Sequence, residues 1–99
     1  MPSIPSNSAG RLRIFTYSSD IPPALTDPVS INMSLYNPRN LLVYSGDTPI
    51  RLAQGVYEFS IPAYALIEKA SYGTPYNAVS IITFPDNTTE SQAESITTS

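Results

Sequence analysis

A chain does acid–base or nucleophilic chemistry only with the side chains it owns, and this one owns few. Histidine is absent, which removes the one side chain whose ordinary pKa lies near neutrality and also the commonest metal ligand. Cysteine is absent too, so there is no thiol nucleophile, no sulfur ligand and no disulfide framework. Eight carboxylates remain: Asp20, Asp27, Asp47, Glu58, Glu68, Asp86, Glu90 and Glu94. Two such groups about 5–10 Å apart can divide acid and base roles when one pKa is raised. Most of these, however, fall in turn-like or tail-like sequence, where carboxylates cap and solvate. Glu58 alone stands on a well-defined strand, and its parity points it away from the core.

A Ser–Lys dyad would need Lys69, the sole lysine, and Ser71, but residues i and i+2 do not share a helix face. None of the four glycines, Gly10, Gly46, Gly55 and Gly73, belongs to a nucleophile elbow or a phosphate loop. Asp86 to Glu90 is oxygen-rich but lacks the alternating acidic pattern that fixes calcium ligands. Asn32-Met33-Ser34 and Asn87-Thr88-Thr89 match a glycosylation sequon, as a chain rich in Asn, Ser and Thr does by chance. These residues predict a protein that is not an enzyme and that uses no cofactor or metal.

Binding chemistry is better represented. Arg11, Arg13, Phe15 and Tyr17 alternate with Leu12 and Ile14, so the two arginines and two aromatics share one strand face. Such a ladder can stack bases or sugar rings; it can also pack under a second layer with its arginines as a fringe. Only five cations against a net charge of −3 argue against a surface that tracks phosphates. No nucleic acid is expected, and sugar or protein is the expected ligand. Seven tyrosines add large, low-entropy contact area. Tyr36, on the polar face of its strand, is the candidate contact among them.

The elements that position these groups read as strands. Ten prolines oppose long helices, because an interior proline removes a backbone donor and clashes with the preceding turn. Arg11 to Tyr17 alternates. Asp20 to Pro28, with Pro22, Pro23 and Pro28, reads as a loop. Val29 to Tyr36 places Val29, Ile31, Met33 and Leu35 inward. Asn37-Pro38-Arg39-Asn40 makes a turn, followed by strands at Leu41 to Ser45, Ile50 to Ala53, Val56 to Ile61 and Asn77 to Phe84. Residues 62–71 predict one short helix opened by Pro62, with Ala63, Leu66, Ile67 and Ala70 as its stripe; a strand over 64–69 is the alternative. The expected core is Ile31, Met33, Leu35, Val43, Leu52, Tyr57, Phe59, Ile61, Val79 and Ile81.

The fold class expected is mainly β: a small two-sheet sandwich of about seven strands, Ig-like or transthyretin-like, with at most one short helix and polar extended tails. The stretch from Ser45 to Ile61, a short strand followed by Gly55-Val56-Tyr57-Glu58-Phe59-Ser60-Ile61, is similar to the later strands of transthyretin-like and carboxypeptidase-regulatory domains. Residues 1–10 read as a polar N-terminal arm, 11–85 as the sandwich and 86–99 as a polar C-terminal tail. Neither end holds enough apolar surface to offset its ordering entropy alone. Met1 to Ser6 lacks the charged and apolar regions of a signal peptide, and no apolar run reaches the ~20 residues of a membrane span.

Taken together these features predict a non-enzymatic structural component of a large assembly, with other protein subunits as partners in a homo-oligomer or hetero-assembly. Virion location is the expectation, as a phage-type capsid decoration, cement or connector protein, with arms fixed on assembly and no membrane contact. The alternative is a glycan- or protein-binding adhesion-type sandwich module.

Overall fold

The computed structural model describes residues 3–5, 8–18, 23–71 and 73–98. They form the expected two-sheet β-sandwich. The strands are β1 (Ser3–Ile4), β2 (Gly10–Phe15), β3 (Ser30–Tyr36), β4 (Leu42–Gly46), β5 (Ile50–Ala53), β6 (Val56–Ile61), β7 (Tyr76–Thr83) and β8 (Thr89–Thr98). One sheet has five strands in the order β1-β8-β7-β3-β4, and the other has three in the order β2-β6-β5. All pairings are antiparallel except that of β1 with β8.

Alternation sets the layers. Along β2, Leu12 and Ile14 are buried and Arg11, Arg13 and Phe15 exposed. Along β3, Ile31, Met33 and Leu35 are buried. Across the five-stranded sheet the inward residues meet in register, Ile31 opposite Ile82 and Leu35 opposite Ala78 on β3–β7, and Tyr76 opposite Ile96 on β7–β8. Phe59 and Ile61 close the core from the smaller sheet.

The turns follow from residue type. Asn37 is buried, and its Oδ1 accepts from the N–H of Arg39 at 3.0 Å and of Leu41 at 2.9 Å. Asn40 then takes the left-handed conformation that asparagine tolerates, with φ 63°. Gly55 turns β5 into β6 at φ 70°, and a Cβ there would stand 2.8 Å from Thr16 O and Thr26 N, so only glycine fits.

Several expectations are corrected. The end segments are not tails beside the sandwich. Ile4 and Ile96 belong to the buried core, and β8 pairs with β7 along eight residue pairs from Tyr76–Ile96 to Thr83–Thr89. The turn from Phe84 to Thr88 closes that hairpin, with Asn87 at φ 67° and the Asp86 carboxylate accepting from Thr88 N and Oγ1. Residues 1, 2, 6, 7 and 99 lie outside the described residues, as does the part of the expected proline loop at 19–22, including Asp20 and Pro22.

Leu52 and Ile81 are exposed at 46% and 43%, and Val29 at 67%, instead of buried. Leu52 lies on an edge strand whose four residues are all exposed. Around Ile81 the run Val79-Ser80-Ile81-Ile82 gives no alternation to read, and the fold turns Ala78, Ser80 and Ile82 inward. Val29 precedes the sheet. Val43, Tyr57 and Val79 are half-buried. Residues 62–71 hold a single 3-10 turn, Ala63–Leu66, which buries Ala65 and Leu66; with three residues per turn instead of 3.6, Ile67 swings out to 61% exposure.

Candidate functional site

The ladder forms as its spacing predicts, but its cations are occupied. Arg13 faces Glu58 across β2–β6. Glu58 Oε2 lies 3.4 Å from Arg13 Nη2, and its Oε1 lies 3.5 Å from Arg11 Nη1. The two guanidiniums cover a carboxylate whose residue is only 9% exposed. Because the arginines themselves stand mostly in water, each pair contributes about 0–1 kcal/mol; their main effect is to neutralise Glu58 within an outer sheet face. Phe15 continues that face at 43% exposure, opposite Val56, with Ile50 and Leu52 exposed on the neighbouring strand.

Tyr17 lies beyond β2, bridged to Leu25, and is 49% exposed. It opens onto a cleft of about 820 Å³ lined among others by Pro23, Phe84, Pro85, Asp86 and Glu90. The cleft has aromatic and proline walls and acidic rims. Tyr36 is separated from this group: it is half-buried on the outer face of the five-stranded sheet, between Leu42 and Asn77. The structure thus brings Arg11, Arg13 and Phe15 together on one face, sets Tyr17 at its end and leaves Tyr36 on the other sheet.

A cluster that sequence reading did not single out is centred on Asp27. Its carboxylate accepts from Arg51 Nη2 at 2.9 Å, from the Gly55 N–H at 2.9 Å and from the Tyr57 hydroxyl at 2.9 Å. The Arg51 hydrogen bond, then the Gly55 amide, hold Asp27 well below the usual carboxylate range. Burial pushes the Tyr57 phenol up. With Arg51 Nε also donating to Oδ1 at 3.2 Å, four hydrogen bonds from three residues make Asp27 a latch that ties loop 23–28 to the β5–β6 hairpin, without a proton to exchange near neutrality. Asp27 falls two residues beyond the Leu25–Tyr17 bridge, a long-range placement with no local signature.

The two flanks of the sandwich differ. On one, β1 lies beside β8, and a Cβ on Gly10 would collide with the Ile4 side chain. Gln92 of β8 donates across the sheets to Phe15 O at 2.9 Å. On the other, residues 47–49 join β4 to β5, both of them edge strands. Leu41 and Leu42 (56% and 58% exposed) and Ile50 (59%) stand there in water.

Among the described residues no three acidic side chains gather to hold a metal ion, and no helix is long and apolar enough to cross a membrane. No protein-family model matches the chain, and neither the curated proteins nor the solved structures include a match.

Proposed function

We propose that this chain is a non-enzymatic structural subunit that works by contact with other protein subunits of a larger assembly. The observation that carries this reading is the placement of apolar side chains on the outside: Phe15, Leu41, Leu42, Ile50 and Leu52 are each 43–59% exposed on sheet edges and on the outer face of the smaller sheet. Leaving such groups in water forgoes about 25 cal/mol per Å² that a partner would recover. The arginines support it by default, since Arg11, Arg13, Arg39 and Arg51 are all engaged by Glu58, Glu68 or Asp27 within the chain. The strands at the chain ends no longer favour assembly arms; the exposed apolar face replaces them as the reason. A virion component, such as a decoration, cement or connector protein, is the specific form of this reading.

Gradient fractionation of extracts from the producing cells tests it, with the chain followed by antibody. Migration with particles of large mass is expected. A chain found only at the top of the gradient, among free monomeric proteins, sinks the reading.

A second reading, a glycan- or protein-binding module, draws support from the cleft beside Tyr17. There the exposed Tyr17 ring can stack a sugar ring while the Asp86 and Glu90 carboxylates accept hydrogen bonds from its hydroxyls. A glycan array probed with the chain and with its Tyr17→Ala and Phe15→Ala variants decides it; silence on the array removes the glycan form.

A further inference from the structure

We infer that the cleft beside Tyr17 receives an arginine side chain from a partner subunit, stacked on aromatic rings and paired with Asp86 and Glu90. The inference rests on the assembly reading and names the chemistry of one contact it requires.

At about 820 Å³ this cleft has the size of a ligand site. Its carbon comes from two rings, Tyr17 and Phe84, and from two prolines, Pro23 and Pro85; its charge comes from Asp86 and Glu90. Strand parity puts Glu90 on the same side of β8 as Gln92 and Ile96, the side that faces the smaller sheet. Asp86 spends Oδ1 inside its own turn, on Thr88 N and Oγ1. Neither carboxylate has an ion-pair partner among the described residues. Rings and negative charge thus share one concave wall.

The chain cannot supply the missing cation. Arg11 and Arg13 are held by Glu58, Arg39 by Glu68 and Arg51 by Asp27. The remaining cation, Lys69, precedes the Ala70 bridge to Thr98, at the opposite end of β8 from Glu90. That is about 26 Å away at ~3.3 Å per residue. A counter-charge must therefore come from outside, as the net charge of −3 also asks. Its kind follows from the walls. A calcium-like ion wants about six or more oxygen ligands, whereas much of this wall is carbon and no three acids gather among the described residues. A quaternary ammonium would stack on the rings but has no N–H for the carboxylates. A sugar would leave both charges unneutralised. A guanidinium meets every demand: its plane stacks on an aromatic face and its N–H groups donate to carboxylates. The cleft is wider than one guanidinium, which leaves room for the residues on either side of the arginine.

Titration of the isotope-labelled full chain with the capped tripeptide Ala-Arg-Ala, followed by amide NMR shifts, tests this. The peptide is taken to about 10 mM, where millimolar binding is saturated. Saturable shifts confined to Tyr17, Ser18 and Thr88 to Glu90 are expected. The same peptide with citrulline, the neutral isostere of arginine, should leave these residues unmoved. Glu90→Gln and Tyr17→Ala should each weaken binding about ten-fold, with thermal midpoints unchanged because both side chains are exposed. Asp47→Asn removes a carboxylate outside the cleft that also lacks an ion pair among the described residues, and should change nothing. Equal binding of the citrulline peptide, or shifts as large at Asp47 and Glu94 as in the cleft, overturns the inference. So does a sugar that binds at these residues when the arginine peptide does not. A chain that migrates with particles but ignores the arginine peptide overturns the arginine contact and leaves the assembly reading standing. A chain that binds the peptide in the cleft yet stays at the top of the gradient sinks the assembly reading and keeps the cleft as an arginine site.

Discussion

The flank built by β2 and β8 and the flank built by β4 and β5 solve the same problem in opposite ways. Each ends two sheets and leaves backbone groups facing out. The first is stitched: β1 caps the end of β8, Ile4 fills the space over Gly10, Gln92 reaches across to Phe15 O, and what remains open carries Glu90 and Glu94 on β8 and Arg11 and Arg13 on β2. The second has a three-residue connection, a bulge between Leu35 and Tyr36 where β4 joins β3, and apolar side chains in water. Its one polar device, the Asp27–Arg51–Tyr57 latch, faces loop 23–28 and leaves the strand edges as they are. The same fold therefore stitches one flank to itself and leaves the apolar side chains of the other in water.

The largest effect that would break this contrast is removal of residues 86–99. If the β8 flank is integral, the shortened chain loses its cooperative thermal transition; an unchanged midpoint would return β8 to the status of a tail. Ile96→Ala, at a fully buried position, should cost about 2–5 kcal/mol by denaturant titration. Gly55→Ala should cost at least about 1–2 kcal/mol, because the left-handed conformation penalises a Cβ that also meets Thr16 O and Thr26 N.

Acid sharpens the comparison on the latch side. Asp27 is held low in the fold, so its ionised form stabilises the native state. That contribution is complete above about pH 4, where the unfolded carboxylate is also ionised, and is lost as pH falls toward the folded value. Asp86, lowered by its bonds to Thr88, acts in the same direction. Thermal midpoints should be flat from about pH 6 to 8, since no histidine titrates there, and should fall below about pH 4, less so in Asp27→Asn. Smallest is Leu42→Lys, expected within about 0.5 kcal/mol of the parent in monomer stability.

Strands with one wet and one dry face could be read from the chain directly: β2 and β3 alternate without exception, and Phe59 and Ile61 took their places by parity. β8 could not, for a physical reason. Of its core-side residues, Glu90 and Glu94 stay in water, Gln92 is half-buried and spends its amide on Phe15 O, and only Ile96 and Thr98 are buried. The pattern of a half-buried strand survives in just two residues. The signal that was present was the turn: Pro85-Asp86-Asn87, with an asparagine able to take positive φ, announces a hairpin and not the start of a tail. At the candidate site, parity gave the Arg11–Arg13–Phe15 face, but not that Glu58, far along the chain, would already hold both arginines. Nor could local sequence bring Asp27 to Arg51 and Tyr57.

The parallel contact between β1 and β8 has a mechanical meaning. Tension applied at the two ends of the domain pulls β1 backwards and β8 forwards along their shared axis. The bonds at Ser3–Thr97 and Ile4–Thr98 are then loaded side by side in shear, not opened one after another as an antiparallel hairpin would be. Such a pair yields only when all its bonds fail together, so this short clasp, backed by the buried Ile4 side chain, sets the force at which the sandwich begins to unravel. Single-molecule pulling should show one sharp rupture at low extension, and Ile4→Ala should lower its force.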